Sequence, residues 1–183
     1  MAEASSVNTA VAPHSEPIHE DVVEPTSYNH KRIVAIALDP SKNSEYAFHW
    51  ALDNIVDPEN DQVVLLNVRP VPTVAGPYGF SYMDFADWLD RVEEGNKVES
   101  HELLKRFGAQ VLKRNASCRA IALRGDARDE ITAKLSELKA DICVVGSRGM
   151  STLTRTFIGS VSDHIVHTAT CAVIVVHLPG DRK

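Results

Sequence analysis

Three glycines and a serine stand at the spacing G-x2-G-x9-G-S, as Gly146, Gly149, Gly159 and Ser160, and they offer the chain's strongest chemistry. Gly146 and Gly149 follow directly on a β-branched run, where missing side chains let the backbone turn and let a ligand approach the amides. Gly159 and Ser160 open a stretch, Ser160 to Thr168, expected to be helical. The first N–H groups of a helix lack internal acceptors and carry the positive end of its dipole. Two anion-binding elements therefore converge on one loop. Ser160 adds a hydroxyl donor, and Arg148 and Arg155 add positive charge suited to a polyphosphate. Three or four charge-assisted bonds of about 1.5–3 kcal/mol each can supply the roughly 8 kcal/mol of micromolar affinity.

Other constellations carry less. No Gly-Lys followed by Ser or Thr occurs, which excludes a Walker-type loop. His164 and His167 sit three apart on the same expected helix and read as solvent-facing, since a metal needs further ligands at close spacing. Cys118, Cys143 and Cys171 are an odd, widely spaced set, each in or beside a β-branched run, and read as reduced, buried thiols. Cys171 has no neighbouring base to make it a nucleophile. No catalytic residue is assigned.

The elements that position the loop alternate between strand and helix. Ile33 to Leu38 is an unbroken apolar run suited to a strand covered on both faces. Ala47, Phe48, Ala51, Leu52 and Ile55 fall on one helical face, which Asp57 and Pro58 end. Val63 to Val68 is a second strand, and the Pro- and Gly-rich segment from Pro70 to Phe80 is an irregular loop. A helical region starts near Met83 or Asp84, with one apolar stripe of Phe85, Trp88, Leu89 and Val92 and another of Leu103, Leu104, Phe107, Val111 and Leu112. Gly95 and Asn96 between the stripes are where a kink would fall. Cys118 to Leu123 is a third strand, Gly125 and Asp126 turn the chain, and Asp126 caps a helix carrying Ile131, Leu135 and Leu138. Ile142 to Val145 and Ala172 to His177 complete five strands. Such alternation calls for a parallel α/β sheet with helices on both faces and a ligand at the strands' carboxyl ends.

Length and charge set the frame. The 183 residues, 44% of them apolar, suffice for one substantial core. Of the net charge of −6, five units lie in the first 30 residues, which hold Glu3, Glu16, Glu20, Asp21 and Glu24 and no Lys or Arg; residues 31–183 carry −1. The folded part has no basic footprint for duplex nucleic acid. Residues 1–30 hold Pro13, Pro17 and Pro25 among polar neighbours and read as a disordered acidic tail, followed by a domain over 31–178 and a short tail over 179–183. With neither a signal-like stretch nor an apolar run of membrane-spanning length, a cytoplasmic location is expected.

The glycine motif resembles the ATP-binding branch of the universal stress protein family, together with the strand ending in Asp39, the Asn67-Val68-Arg69-Pro70 strand end, and Gly125-Asp126-Ala127-Arg128. The resemblance covers about residues 31 to 178. It implies a Rossmann-like sheet of order 3-2-1-4-5, bound ATP, and homodimers. Gly146, Gly149, Gly159, Ser160 and Val161 would then hold ribose and phosphates, Asp39 would face the nucleotide, and Val68 would offer main-chain groups to adenine. Asp39 is also the candidate for positioning Mg2+ or Mn2+ beside the phosphates. The chain departs from the family pattern in its acidic tail, in the proline-rich insert, at Met150 and Ser151, and at Ala172, where a proline often stands.

The last strand, Ala172 to Val176, lies at the sheet edge in that order, and antiparallel pairing with a second copy would satisfy it. The function expected is a nucleotide-dependent stress-response module. Its alternatives are a slow ATPase or phosphotransfer enzyme, and a dimeric scaffold that uses no nucleotide.

Overall fold

The computed structural model describes residues 19–23, 30–72, 82–149 and 158–180, without the side chains of 82–86. The elements run β1 (Glu20–Val23), β2 (Arg32–Ala37), α1 (Lys42–Asn54), β3 (Asp61–Arg69), α2 (Tyr82–Lys113), β4 (Ser117–Arg124), α3 (Ala127–Leu138), β5 (Ile142–Gly146), α4 (Ser160–Thr168) and β6 (Ala172–Val176). They build one sheet of order β1-β4-β3-β2-β5-β6. β2 to β6 are parallel and keep the expected 3-2-1-4-5 order.

The unbroken apolar runs are explained by two layers. Successive strand residues point to opposite faces, so Val34, Ile36, Val63, Leu65 and Val144 join one core, while Ala35, Ala37, Val64, Leu66 and Val145 join the other. α1 and α2 cover the first face, where Phe48 and Phe107 meet edge to face with centroids 4.6 Å apart. α3 and α4 cover the second through Ile131, Leu135 and Ile165. Cys118 and Cys143 are buried and Cys171 partly so, all as free thiols. Burial pushes the thiols of Cys118 and Cys143 up to about 12, which keeps both in the unreactive protonated form near neutral pH.

Two expectations are corrected. Among the described residues the sheet has six strands and is mixed, because Glu20–Val23, within the segment read as a disordered tail, pairs antiparallel with β4. Composition misled because the two acids of this strand find basic partners distant in sequence: Glu20 pairs with Arg69, Lys97 and His101, and Asp21 with Arg119. Secondly, α2 is a single 32-residue helix that runs through Gly95 and Asn96. Its stripes are less buried than their periodicity implied, with Trp88 48% and Leu112 38% exposed. The side chain of Phe85 and the insert over 73–80 lie outside the described residues.

Nothing stands within 4 Å of a Cβ built on Gly95. A helix-interior glycine in open space costs about 0.5–1 kcal/mol relative to alanine. Gly95→Ala is therefore expected to stabilise the protein by about that amount, as read from the midpoint of urea unfolding.

Candidate functional site

In an open α/β sheet the ligand crevice opens where the strand order reverses. Here that point lies between β2 and β5, neighbours that the chain reaches in opposite directions from the sheet's centre. A cavity of about 300 Å3 opens there, and all eight residues singled out in the sequence line it: Asp39, Val68, Gly146, Arg148, Gly149, Gly159, Ser160 and Val161. Arg155, Met150 and Ser151, the remaining loop residues singled out, lie outside the described residues.

Asp39 follows β2 and serves two ends. Its Oδ1 accepts from the Ser41 amide at 3.1 Å and from the Ser41 hydroxyl. Ser41 in turn caps α1, its hydroxyl accepting from the Ser44 amide at 3.2 Å, and the Ser44 hydroxyl accepts from the Asp39 amide at 3.0 Å. This local network is the turn that a Ser-rich strand-to-helix connection favours. It fixes the carboxylate while its Oδ2 turns toward Gly149, where a built Cβ would stand 2.5 Å away.

The three glycines serve close approach. Among the described glycines only Gly125 and Gly180 have positive φ, so the expected sharp turn at Gly146 and Gly149 needs no left-handed backbone. A Cβ on Gly146 would lie 2.9–3.0 Å from backbone atoms of Asn43 and Ser44, so β5 touches the first turn of α1 directly. A Cβ on Gly159 would lie 3.3 Å from the Arg148 Cα, and the Gly159 amide donates to the Ser147 carbonyl at 2.7 Å. That bond brings the start of α4 back beside the strand it left. Gly159 is the N-cap of α4 and has no side chain to cap it. Ser160 and Val161, at the positive end of α4 where the leading amides lack intrahelical acceptors, line the cavity. Buried Ser162 steadies this end, its hydroxyl donating to the Gly159 carbonyl at 2.9 Å.

Sequence reading missed the wall opposite. Ala127 and Ile131 of α3 and Ser44 of α1 also line the cavity. Small and apolar side chains carry no chemical signature, and only the helix's position after the carboxyl end of β4 signals them. Gly125, at φ 151°, makes the turn into α3, and the carboxylate of Asp126 accepts from the Arg128 amide at 2.9 Å. The Arg128 side chain and then that amide bring the Asp126 carboxyl down to about 2.

The residues present suit an anionic ligand with a hard cation. Asp39 is the one carboxylate among the described residues lining the cavity. Mg2+ is commonly held by one or two carboxylates together with substrate phosphates. Asp39 Oδ2 would be the protein ligand, and the cation would neutralise phosphate charge. No group of three or more His, Cys, Asp or Glu able to hold a metal occurs among the described residues. His164 is half-buried and His167 exposed.

An open α/β sheet with a glycine-lined, partly polar crevice at its switch point defines an α/β protein of Rossmann-like architecture. The Universal stress protein family matches residues 30–177, and the chain belongs to that family. It is 29% identical over 151 residues to the Universal stress protein A-like protein of Arabidopsis thaliana, covering 79% of this chain and 83% of that one. A solved universal stress protein family structure from Arabidopsis thaliana, with AMP bound, superposes with a TM-score of 0.59 at 25% identity, over 82% of this chain and 94% of that one. A further universal stress protein, solved in complex with cAMP, shares the fold with a TM-score of 0.55 at 18% identity, over 80% and 97% of the two chains. No described helix is long and apolar enough to cross a membrane.

Proposed function

We propose that this chain is an ATP-binding stress-response module whose cavity between β2, β5 and α4 holds the nucleotide. The observation that carries this reading is the convergence of the eight loop and strand-end residues on one cavity. Its volume of about 300 Å3 lies at the lower end of small-molecule sites, roughly 300–1,000 Å3. The leading amides of α4, with Ser160, take the phosphates, and Arg148 adds charge. Asp39 faces the ribose and a Mg2+ or Mn2+ ion, and Val68 meets adenine. The AMP-bound and cAMP-bound relatives support an adenine nucleotide. The one carboxylate among the described residues lining the cavity has its Oδ1 already held by Ser41, which favours a binding protein over a catalyst. Three free cysteines suit a reducing, cytoplasmic setting. Homodimers form in this reading through β6, which ends the sheet with no neighbour on its outer side among the described residues.

Calorimetric titration of ATP, ADP and AMP, with and without Mg2+, into nucleotide-free protein tests the reading. Micromolar or tighter ATP binding, weaker for AMP, is the expected result. Absence of binding by folded protein overturns it and leaves a nucleotide-independent scaffold.

A further inference from the structure

At the other end of the sheet, the outer edge of β4 and the flank of α2 form a receiving surface. Arg119 of β4 holds the Asp21 carboxylate through two bonds, Nε at 2.7 Å and Nη2 at 2.9 Å. Arg69, 4% exposed at the end of β3, donates to Glu20 at 3.2 Å, and Lys97 and His101 of α2 each stand 3.1 Å from the other Glu20 oxygen. Beyond the two acids, Val22 and Val23 pack against the core. Gly108 of α2 leaves room for them, since a Cβ there would stand 3.2 Å from Val23 Cγ2. The register pairs Glu20 with Ala122, Asp21 with Ile121 and Val23 with Ala120, with a bulge between Asp21 and Val23.

Basic groups from three separate elements thus read two successive acids, and a helix glycine admits the β-branched residues behind them. This is strand addition to a sheet edge, in which main-chain bonds supply affinity and side-chain contacts supply selectivity. The surface belongs to the family domain over 30–177, whereas the segment it holds lies before that domain. Only four residues are held in the ladder, and only the six residues 24–29 separate them from the residue that opens the domain. A short tether presents such a segment at an effective concentration on the order of millimolar. A four-residue grip helped by a tether is open to competition from a free segment of the same pattern.

We propose that the β4 edge is a docking surface for an extended segment of a partner protein bearing two acidic residues followed by two β-branched ones, and that residues 20–23 occupy it in cis until displaced. The bound partner would take up the Arg119 and Arg69 contacts that Asp21 and Glu20 now make. The surface is distant in the sheet order from β5 and makes no use of the nucleotide reading.

The test uses the full chain and a fluorescent peptide spanning residues 17–25, followed by anisotropy. In a chain carrying Glu20→Lys and Asp21→Lys, the peptide is expected to bind saturably. The unaltered chain should need at least tenfold more peptide, because its own segment competes at about millimolar effective concentration. Adding Arg119→Glu to the double variant should weaken binding at least tenfold. A double variant with native circular dichroism that fails to bind the peptide, or that binds it no better than the unaltered chain, overturns the proposal. If the double variant does not fold, Asp21→Lys alone supports the same comparison, because the Asp21–Arg119 pair is about a third exposed on each side. Light scattering of the unaltered chain with excess peptide separates the other occupant. Oligomers that dissociate on adding peptide would assign the edge to exchange between copies and overturn the partner reading.

Discussion

Gly149→Val is expected to weaken ATP binding by at least 100-fold, about 2.7 kcal/mol, while leaving the thermal midpoint within a few degrees of the unaltered protein. The reason is the position of this glycine beside the Asp39 carboxylate, both residues lining the same cavity. A Cβ there already falls 2.5 Å from Asp39 Oδ2, and valine adds two methyl groups beyond it. The carboxylate cannot retreat freely, because Ser41 grips its other oxygen while the Ser44 hydroxyl holds its amide. The new side chain therefore displaces Asp39 into the cavity of about 300 Å3 or enters the cavity itself. Either outcome removes volume and charge from the place the ribose and phosphates would take. The fold should tolerate the change, since Gly149 is half-exposed and belongs to neither core cluster. Calorimetry and a thermal melt on the same preparation check both halves. Undiminished affinity would remove the glycine loop from the binding site.

How far the sequence could be read follows from which features are local. α4 was legible to the residue at both ends, because Gly159 and Ser160 announce its start and the amphipathic run from Ser160 stops at Thr168. The central strands were equally plain, since a run such as Ile33 to Leu38 has few uses other than a strand buried on both faces. That the eight residues share a cavity was legible in two ways: the glycine pattern keeps its spacing in sequence as well as in space, whereas Asp39 and Val68 followed from the family resemblance. β1 was hidden by contrast. Its acids look like tail charge until Arg69, Lys97, His101 and Arg119, supplied by β3, α2 and β4, are brought around them. Gly95 misled in the opposite direction: an exposed helix glycine costs too little to break a 32-residue helix whose second half is anchored by Leu104, Phe107 and Val111.

The same motif also contains a glycine of a different kind, and Gly146→Val separates the two. Gly149 opposes the tip of a side chain, but Gly146 opposes main chain, with Asn43 and Ser44 backbone atoms 2.9–3.0 Å from a built Cβ. The main chain of a helix's first turn yields less than even a tethered carboxylate. To admit even a methyl group, the end of β5 must part from the first turn of α1. β5 is gripped on both sides, pairing with β2 through Val145 and with β6 through Gly146 itself. The start of α1 is equally fixed, because its cap Ser41 and the Ser44 hydroxyl belong to the Asp39 network. Overpacking of this kind costs typically 1–3 kcal/mol, and valine at a backbone contact should reach the upper end, about 3 kcal/mol. For a chain of this size that lowers the thermal midpoint by about 6–12 °C. The expected signature is a large fall in stability, with binding impaired because Asp39 moves along with the cap. Should Gly146→Val melt like the unaltered protein, the direct strand-to-helix contact would be wrong, and the need for glycine at this position would pass to the ligand.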